Sequence, residues 1–274
     1  MIKITYIVDE MMDLYSFLKQ KYFTEEMILR LLFLKKIYVN QKVVKDNQMV
    51  LVKDRVEFDL ENEKCEIPSF NAPINIVYED DYLLIVNKPA NLDTLRSKRH
   101  SEDNLSTRII HYYQKNKILS TIHFVNRLDY MTQGLILIAK HGLIHQMFKH
   151  VEIIKKYQLR VHGKMLVNQK EEVKVYIKKS NDGIKRIISN DGKEAITRYQ
   201  VLKSEQDYTY LQAQLVTGRT HQLRVTFSNM GHPIVGDTLY GSFEKTILNL
   251  CSSYLEFEHP ITKKRMKFEI HPNF

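Results

Sequence analysis

The chain has 274 residues, of which 43% are hydrophobic and 27% are charged, so it is long enough for one large domain or two unequal ones. This composition excludes an intrinsically disordered or low-complexity chain. No apolar run approaches the roughly 18 residues that a membrane helix needs, and the acidic Asp9 and Glu10 argue against a secretion signal, so we expect a cytoplasmic protein.

The net charge of +9 is distributed unevenly along the chain. Residues 1–66 carry a net charge of −1, whereas the remaining residues carry +10. A positive field of this size attracts polyanions, of which nucleic acid is the commonest in a cytoplasm. Charge alone does not decide the function, because lysine-rich surfaces also keep proteins in solution.

Residues 1–66 have the pattern of a small α+β module. Apolar side chains recur at helical spacing over residues 14–18 and 27–32, which predicts two short helices, the second capped by Thr24. The β-branched segment 37–44 surrounds an Asn-Gln pair and predicts a hairpin.

A linker is predicted after this module. Residues 67–74 include Pro68 and Pro73, which donate no backbone hydrogen bond and interrupt regular structure. We therefore expect a first domain over residues 1–66 and a second over residues 75–274.

The second domain is predicted to be α+β with a large mixed or antiparallel sheet, because short apolar runs outnumber helical segments. Strands are predicted over residues 82–86, 123–125, 135–138, 157–161, 208–215 and 266–270, and helices over residues 105–114, 143–150 and 220–229.

The first candidate motif is the polar stretch 125–134, between two apolar strand candidates. In extended chain, Arg127 and Asp129 project to the same side, because side-chain direction alternates. A loop salt bridge, with Gly134 marking a turn, explains the same pattern, so this motif alone does not identify a site.

The second candidate motif spans residues 216–225 and continues through residues 231–237. Thr220 is predicted to cap a helix that Gly231 ends. Arg219, His221 and Arg224 then lie at the positive end of that helix, where acidic side chains are normally favoured. We expect an anion opposite them, either a phosphate or a carboxylate of the protein itself.

Several cofactor and metal motifs are absent from the sequence. It has no G-x-G-x-x-G or G-K-[ST] loop, no HExxH motif and no C-x-x-C pair, and its two cysteines, Cys65 and Cys251, lie far apart. We therefore predict no metal site, no disulfide scaffold and no nucleotide cofactor.

Three separated segments together resemble the RluA-type pseudouridine synthase family. They are the run DYLLIVNKPA at residues 81–90, the run NRLD at residues 126–129, and the run TGRTHQLRV at residues 217–225 with GHPIVGD at residues 231–237. The resemblance is ordered and spans about residues 75–274. The first module resembles an S4-type RNA-binding domain, for which we predict RNA contacts by Lys35, Lys36 and Lys42.

The resemblance implies isomerisation of uridine to pseudouridine in RNA without a cofactor. It implies that Asp129 is the catalytic carboxylate and that Arg224 pairs with it. It also implies that Tyr157 stacks on the uracil and that Arg127 enters the RNA stack when the nucleotide is flipped out. We predict further RNA contacts by Arg219 and His221.

The sequence departs from the family pattern at Asn126, where histidine is usual, at Gln133, where serine is common, and at Asn91, where glycine often stands. None of these changes removes the three expected catalytic side chains. They leave open the geometry of the loops and the choice of RNA.

Two other functions remain open from the sequence. A catalytically degenerate chain would bind RNA during ribosome assembly, and a glycosidase with the same carboxylate chemistry would release uracil. We expect a monomeric protein whose substrate is 23S ribosomal RNA, with transfer RNA as the alternative.

Overall fold

The computed structural model describes residues 2–97 and 101–274. The amino-terminal part has six strands and two helices: β1 (Ile2–Ile7), β2 (Met12–Asp13), α1 (Leu14–Gln20), α2 (Glu25–Phe33), β3 (Ile37–Val39), β4 (Lys42–Val43), β5 (Met49–Val50) and β6 (Arg55–Leu60). Its main sheet has the strand order β1-β6-β3-β4, and β2 pairs with β5 separately.

The two predicted helices and the predicted hairpin are confirmed. The hydroxyl of Thr24 accepts a hydrogen bond from the backbone N–H of Met27 and so caps α2. Asn40 and Gln41 both have positive φ angles, of 50° and 67°, which a two-residue turn of the primed type requires between β3 and β4. Strands β1, β2 and β6 were not predicted from the sequence.

The remaining elements form one large sheet with three α-helices. They are β7 (Asn75–Glu79), β8 (Leu83–Lys88), α3 (Leu105–Lys115), β9 (His123–Phe124), β10 (Gln133–Ala139), α4 (Gly142–Met147), β11 (Ile153–His162), β12 (Lys170–Lys179), β13 (Arg186–Ile188), β14 (Lys193–Ser204), β15 (Tyr208–Leu215), α5 (Gln222–Asn229), β16 (Leu250–Glu258) and β17 (Arg265–Glu269).

The large sheet has the order β13-β12-β14-β15-β11-β16-β10-β8-β7, with β17 paired to β16 and β9 paired to β10. The pair of β10 with β16 is parallel and the other pairs are antiparallel, so the predicted α+β class with a mixed sheet is confirmed. No helix or strand lies between Leu60 and Asn75, where the linker was predicted.

Strand β10 is buried on both faces of the sheet. Leu135 and Leu137 pack into the apolar cluster that also contains the core of the amino-terminal module, including Phe17. Ile136 and Ile138 point the other way, into a cluster that contains residues of α3 and α5. A strand covered on both sides explains why this segment reads as a continuous apolar run.

Several strands escaped the sequence analysis, namely β7, β12, β13, β14 and β16. Strands β12 and β14 are rich in charged residues, although apolar residues alternate in them, as Val173, Val175 and Ile177 do in β12, and this alternation was missed. Among the described residues, no helix is long and apolar enough to cross a membrane.

Candidate active site

A cleft of about 550 Å³ brings together the motifs that the sequence separates. Its walls are the loop between β9 and β10, the part of β11 that contains Lys155 and Tyr157, and the segment that leads into α5. The lining includes every residue for which a catalytic role was predicted, Asp129, Tyr157 and Arg224, together with Arg127, Arg219 and His221.

The loop that carries Asp129 is fixed on both sides of that residue. Before it, the side chain of Asn126 donates to the carbonyl of Leu135 and accepts from the N–H of Leu137, at 3.2 and 2.7 Å. After it, the N–H of Thr132 donates to the carbonyl of Asp129. The amide of Asn126 thus binds strand β10 through both its donor and its acceptor, which shows how the loop is held without the usual histidine.

A buried threonine holds the middle of the same loop. The hydroxyl of Thr94 donates to the carbonyl of Leu128 at 2.7 Å, and it accepts from the N–H of Leu128 at 3.3 Å. Both residues are buried. Because the backbone next to Asp129 is hydrogen-bonded in this way, the position of Asp129 in the lining of the cleft is fixed.

The ammonium group of Lys88 lies beneath the loop and is fully buried. It donates to the carbonyls of Pro89, Leu92 and Tyr130, at 2.9, 2.7 and 3.3 Å. Burial lowers the pKa of Lys88 to about 7, although the negative charge of Asp129 acts in the opposite direction. This lysine therefore ties the segment after β8 to the loop that carries the carboxylate.

Two backbone positions explain the sequence around these loops. Asn91 has a φ of 58°, in the left-handed region that asparagine tolerates better than most residues, which is why it replaces the common glycine. Gly134 lies in β10 and not in a turn, so a turn at Gly134 does not explain this motif. A Cβ there would lie 2.4 Å from the carbonyl oxygen of Ser252, so only glycine lets β10 and β16 approach.

The carboxylate of Asp129 is about one-third exposed and opens into the cleft. Its Oδ2 lies 3.8 Å from Nε2 of His221. This contact was not foreseen, because His221 had been assigned to RNA. A carboxylate that is neither sealed off nor fully solvated remains accessible to a substrate.

Arg224 was predicted to pair with Asp129, but its guanidinium group binds a different carboxylate. Its Nε and Nη2 bind Asp237 at 2.7 and 2.8 Å, and both side chains are buried. Burial alone would lower the pKa of Arg224, but its hydrogen bonds and ion pair with Asp237, with a contribution from Asp129, hold it above its ordinary value. Asp237 is the anion expected near the start of this helix, and it comes from the protein itself.

The start of α5 also differs from the prediction. The residue at the N-cap is His221, with a φ of 58° and no side-chain cap, whereas Thr220 was expected to cap the helix. Gln222 organises the turn instead: its side-chain oxygen accepts from the N–H of Arg219 and its amide donates to the carbonyl of Ile196. The predicted helix end holds, because Gly231 has a φ of 81°.

Tyr157 lies in β11 and is buried against the apolar cluster while its ring also lines the cleft. Burial and the negative charge of Asp129 raise the pKa of Tyr157 to about 12. Its phenol is therefore protonated near neutral pH. Lys155, two residues earlier on the same face of the strand, also lines the cleft, and burial lowers its pKa.

The other predicted RNA contacts lie at the surface. Arg127 is exposed at the cleft, and Arg219 is exposed with its Nε donating to the carbonyl of Glu194. Lys35 and Lys42 are exposed in the amino-terminal module, and Lys36 is half-buried. These positions leave the proposed contacts sterically open.

Sequence reasoning missed the contacts of Lys88, Lys155 and Asp237 around the site. Lys88 and Asp237 stand inside the quoted motifs, but their function depends on burial and on partners far away in the chain. Among the described residues, no group of His, Cys, Asp and Glu side chains is arranged to hold a metal ion.

Comparisons with known proteins agree with this geometry. The sequence model of the family described as RNA pseudouridylate synthase matches residues 82–229. An uncharacterised RNA pseudouridine synthase of Bacillus subtilis, YjbO, is 34% identical over 82% of this chain and 81% of its own length. Ribosomal large subunit pseudouridine synthase C of Buchnera aphidicola is 29% identical over 97% of this chain and 92% of its own.

Solved structures show the same fold. The human RNA pseudouridylate synthase domain containing 1 protein superposes with a TM-score of 0.60 and is 22% identical, over 76% of this chain and 86% of that one. The human domain containing 4 protein gives a TM-score of 0.58 at 21% identity, over 73% and 89%.

Proposed function

The chain belongs to the RNA pseudouridylate synthase family, and on this premise we propose that Asp129 is the carboxylate that acts on the ribose of the target uridine. The observation that carries the proposal is the position of this side chain, one-third exposed in the cleft on a loop fixed from both sides. A carboxylate there can attack C1′ or stabilise a sugar-centred cation, as carboxylates do in glycoside cleavage.

The reaction is an isomerisation and balances without a cofactor. The bond from C1′ to N1 of uracil breaks, the base turns, and C5 bonds to C1′. The hydrogen on C5 leaves as a proton and N1 gains one, so substrate and product have the same composition. The enzyme must hold the detached base during the turn.

Tyr157 is the side chain proposed to hold the base. Its ring lines the same cleft as Asp129, and an aromatic face stacks on uracil. Because its pKa is raised to about 12, its hydroxyl acts as a hydrogen-bond donor to the base and not as a phenolate that removes the C5 proton.

Arg224 supplies the fixed positive charge of the cleft. Asp237 holds its guanidinium by two hydrogen bonds, so the charge keeps one position whether RNA is bound or not. The interaction of Asp129 with Arg224 contributes to the raised pKa of the arginine. A fixed cation in the cleft adds to the electrostatic stabilisation of the reacting groups.

The exposed arginines are proposed to handle the RNA. Arg127 adjoins Asp129 in the loop, where its guanidinium could take the place of the flipped nucleotide in the stack, a move that costs a few kcal/mol and least in RNA loops. Arg219, which also lines the cleft, is proposed to contact a phosphate.

We propose 23S ribosomal RNA as the substrate, with transfer RNA as the alternative. Relatives named ribosomal large subunit pseudouridine synthase C and D support this choice, and one of them matches 97% of the chain. The S4-like module would bind RNA through Lys35, Lys36 and Lys42. We propose that the protein acts as a monomer in the cytoplasm, where both RNAs occur.

The test compares wild type with Asp129→Asn on unmodified 23S and transfer RNA transcripts carrying tritium at C5 of uridine. We expect tritium release and mapped pseudouridine with wild type, and a loss of about 1,000-fold or more with Asp129→Asn while RNA binding is retained. Asp207→Asn, an exposed carboxylate outside the cleft, is the matched control.

Three outcomes would overturn the proposal. RNA binding by wild type with no tritium release from either RNA would point to a binding protein. Release of free uracil would point to base removal. Equal activity of wild type and Asp129→Asn would reject the role of this carboxylate.

A further inference from the structure

The imidazole of His221 lies between Asp129 and Tyr240. Its Nε2 faces Oδ2 of Asp129 at 3.8 Å, and its Nδ1 is 2.8 Å from the hydroxyl of Tyr240. The two rings meet edge to face, with centroids 5.6 Å apart and an interplanar angle of 89°. One ring nitrogen therefore has a bonded partner, and the other points at the proposed catalytic carboxylate.

A backbone contact of Tyr240 favours one tautomer of His221. The N–H of Arg186 donates to the hydroxyl oxygen of Tyr240 at 2.8 Å, and the hydroxyl hydrogen is then available for donation to Nδ1 of His221, 2.8 Å away. A neutral histidine that accepts at Nδ1 carries its hydrogen on Nε2. That hydrogen is directed towards Asp129.

Both His221 and Tyr240 are held in place. His221 has a left-handed backbone with a φ of 58° immediately before α5. The hydroxyl of Ser228 donates to the carbonyl of Tyr240 at 2.6 Å, and the guanidinium of Arg224 lies over the ring of Tyr240 at 5.0 Å. The orientation of the imidazole is thus set by groups outside the loop that carries Asp129.

Burial and the surrounding charged groups together determine the pKa of His221. Burial lowers the pKa of His221, and Arg224 and Arg186 act in the same direction, while Asp129 and Asp237 oppose it. With a pKa below its ordinary value of about 6.5, the ring is neutral at pH 7. It can orient Asp129 without neutralising the negative charge.

We propose that His221 and Tyr240 are positioning residues, which rests on the proposed role of Asp129. The Nε2–H of His221 holds Oδ2 of the carboxylate and leaves Oδ1 for the ribose of the flipped uridine. A separation of 3.8 Å is longer than a hydrogen bond, and the pair closes when RNA excludes water from the cleft.

The experiment measures kcat and KM for tritium release from the RNA that wild type modifies. We expect His221→Ala to lower kcat about 10- to 100-fold with KM within about 2-fold, because a small misplacement of a reacting group has an effect of this size. His221→Gln, whose amide N–H can still reach Asp129, should recover part of the loss.

Tyr240→Phe gives a second signature that a structural role would not produce. The hydroxyl hydrogen at Nδ1 favours the neutral ring, so its removal raises the pKa of His221. The acid limb of kcat/KM should move to higher pH in this variant. His162→Gln and Tyr208→Phe, which lose hydroxyl and carboxylate partners outside the cleft, are the controls.

The outcomes separate this inference from the proposed function. If wild type is active, Asp129→Asn is inactive, and His221→Ala and Tyr240→Phe keep the wild-type kcat and pH profile, the inference fails and the role of Asp129 stands. A rise in KM at unchanged kcat would place His221 in RNA binding and overturn the positioning role. An inactive wild type would reject the proposed function itself.

Discussion

Arg224 and Asp237 form a buried ion pair with two parallel hydrogen bonds, Nε to Oδ2 at 2.7 Å and Nη2 to Oδ1 at 2.8 Å. The pair joins the first turn of α5 to Asp237, which lies 13 residues further along the chain, just after the residue Ile234 that bridges to Val161. The cation that we propose to act beside Asp129 is therefore held by a carboxylate that no substrate needs to touch.

We predict that Asp237→Ala lowers the free energy of unfolding by about 3 to 5 kcal/mol, because it leaves a buried guanidinium without its partner. Urea unfolding of the purified variant measures the change. Asp191→Ala, which removes an exposed carboxylate from the surface pair with Lys178, should leave stability nearly unchanged. Equal effects of the two substitutions would contradict the importance of the buried pair.

Lys88→Met should lower the free energy of unfolding by about 2 to 3 kcal/mol at pH 7, because buried carbonyl oxygens lose their donor at about 1 kcal/mol or more each. The pH dependence identifies the cause. The unfolded chain holds a proton on Lys88 up to about pH 10.4, whereas the folded chain releases it near pH 7.

Between these values the unfolded state binds more protons than the folded state, so wild-type stability from this group rises with pH. The difference between wild type and Lys88→Met should therefore be level below pH 7 and increase from pH 7 towards pH 10. Urea unfolding at pH 6, 8 and 9.5 measures it. A difference that stays constant over this range would show that Lys88 keeps an ordinary pKa when folded.

Arg127→Ala should reduce pseudouridine formation by about 100-fold with little change in melting temperature. The side chain is exposed and belongs to neither apolar cluster, so its loss removes little packing. A thermal melt and the tritium-release assay test the two halves of this prediction. Arg265→Ala, which removes an exposed arginine on β17, serves as the control. The prediction would be contradicted if Arg127→Ala lowered the melting temperature as much as a core truncation does.

Tyr157→Phe separates the ring of this residue from its hydroxyl. We expect kcat to fall about 10-fold, the value of one hydrogen bond of about 1.4 kcal/mol, because the phenylalanine ring still stacks on uracil. Tyr157→Leu, which also removes the aromatic face, should fall further. Single-turnover assays measure both variants, and a loss with Tyr157→Phe as large as with Asp129→Asn would show that a phenolate removes the C5 proton.

Much of the fold could be read from local patterns. Thr24 predicted the start of α2, the Asn-Gln pair predicted the hairpin turn, and the apolar run before Ala139 predicted a buried strand, because capping, turn geometry and period depend on neighbouring residues. The charged strands β12 and β14 were missed although their apolar residues alternate, because their charged residues obscured that pattern.

The ordered motifs were sufficient to predict the family, the reaction and the side chains that meet in the cleft. Residue types and their order are properties of the sequence, so Asp129, Tyr157 and Arg224 could be identified without knowledge of their surroundings. The partner of each side chain was decided by the tertiary structure alone. Asp237 binds Arg224, and His221 faces Asp129, because such contacts depend on distances between segments that only the folded chain brings together.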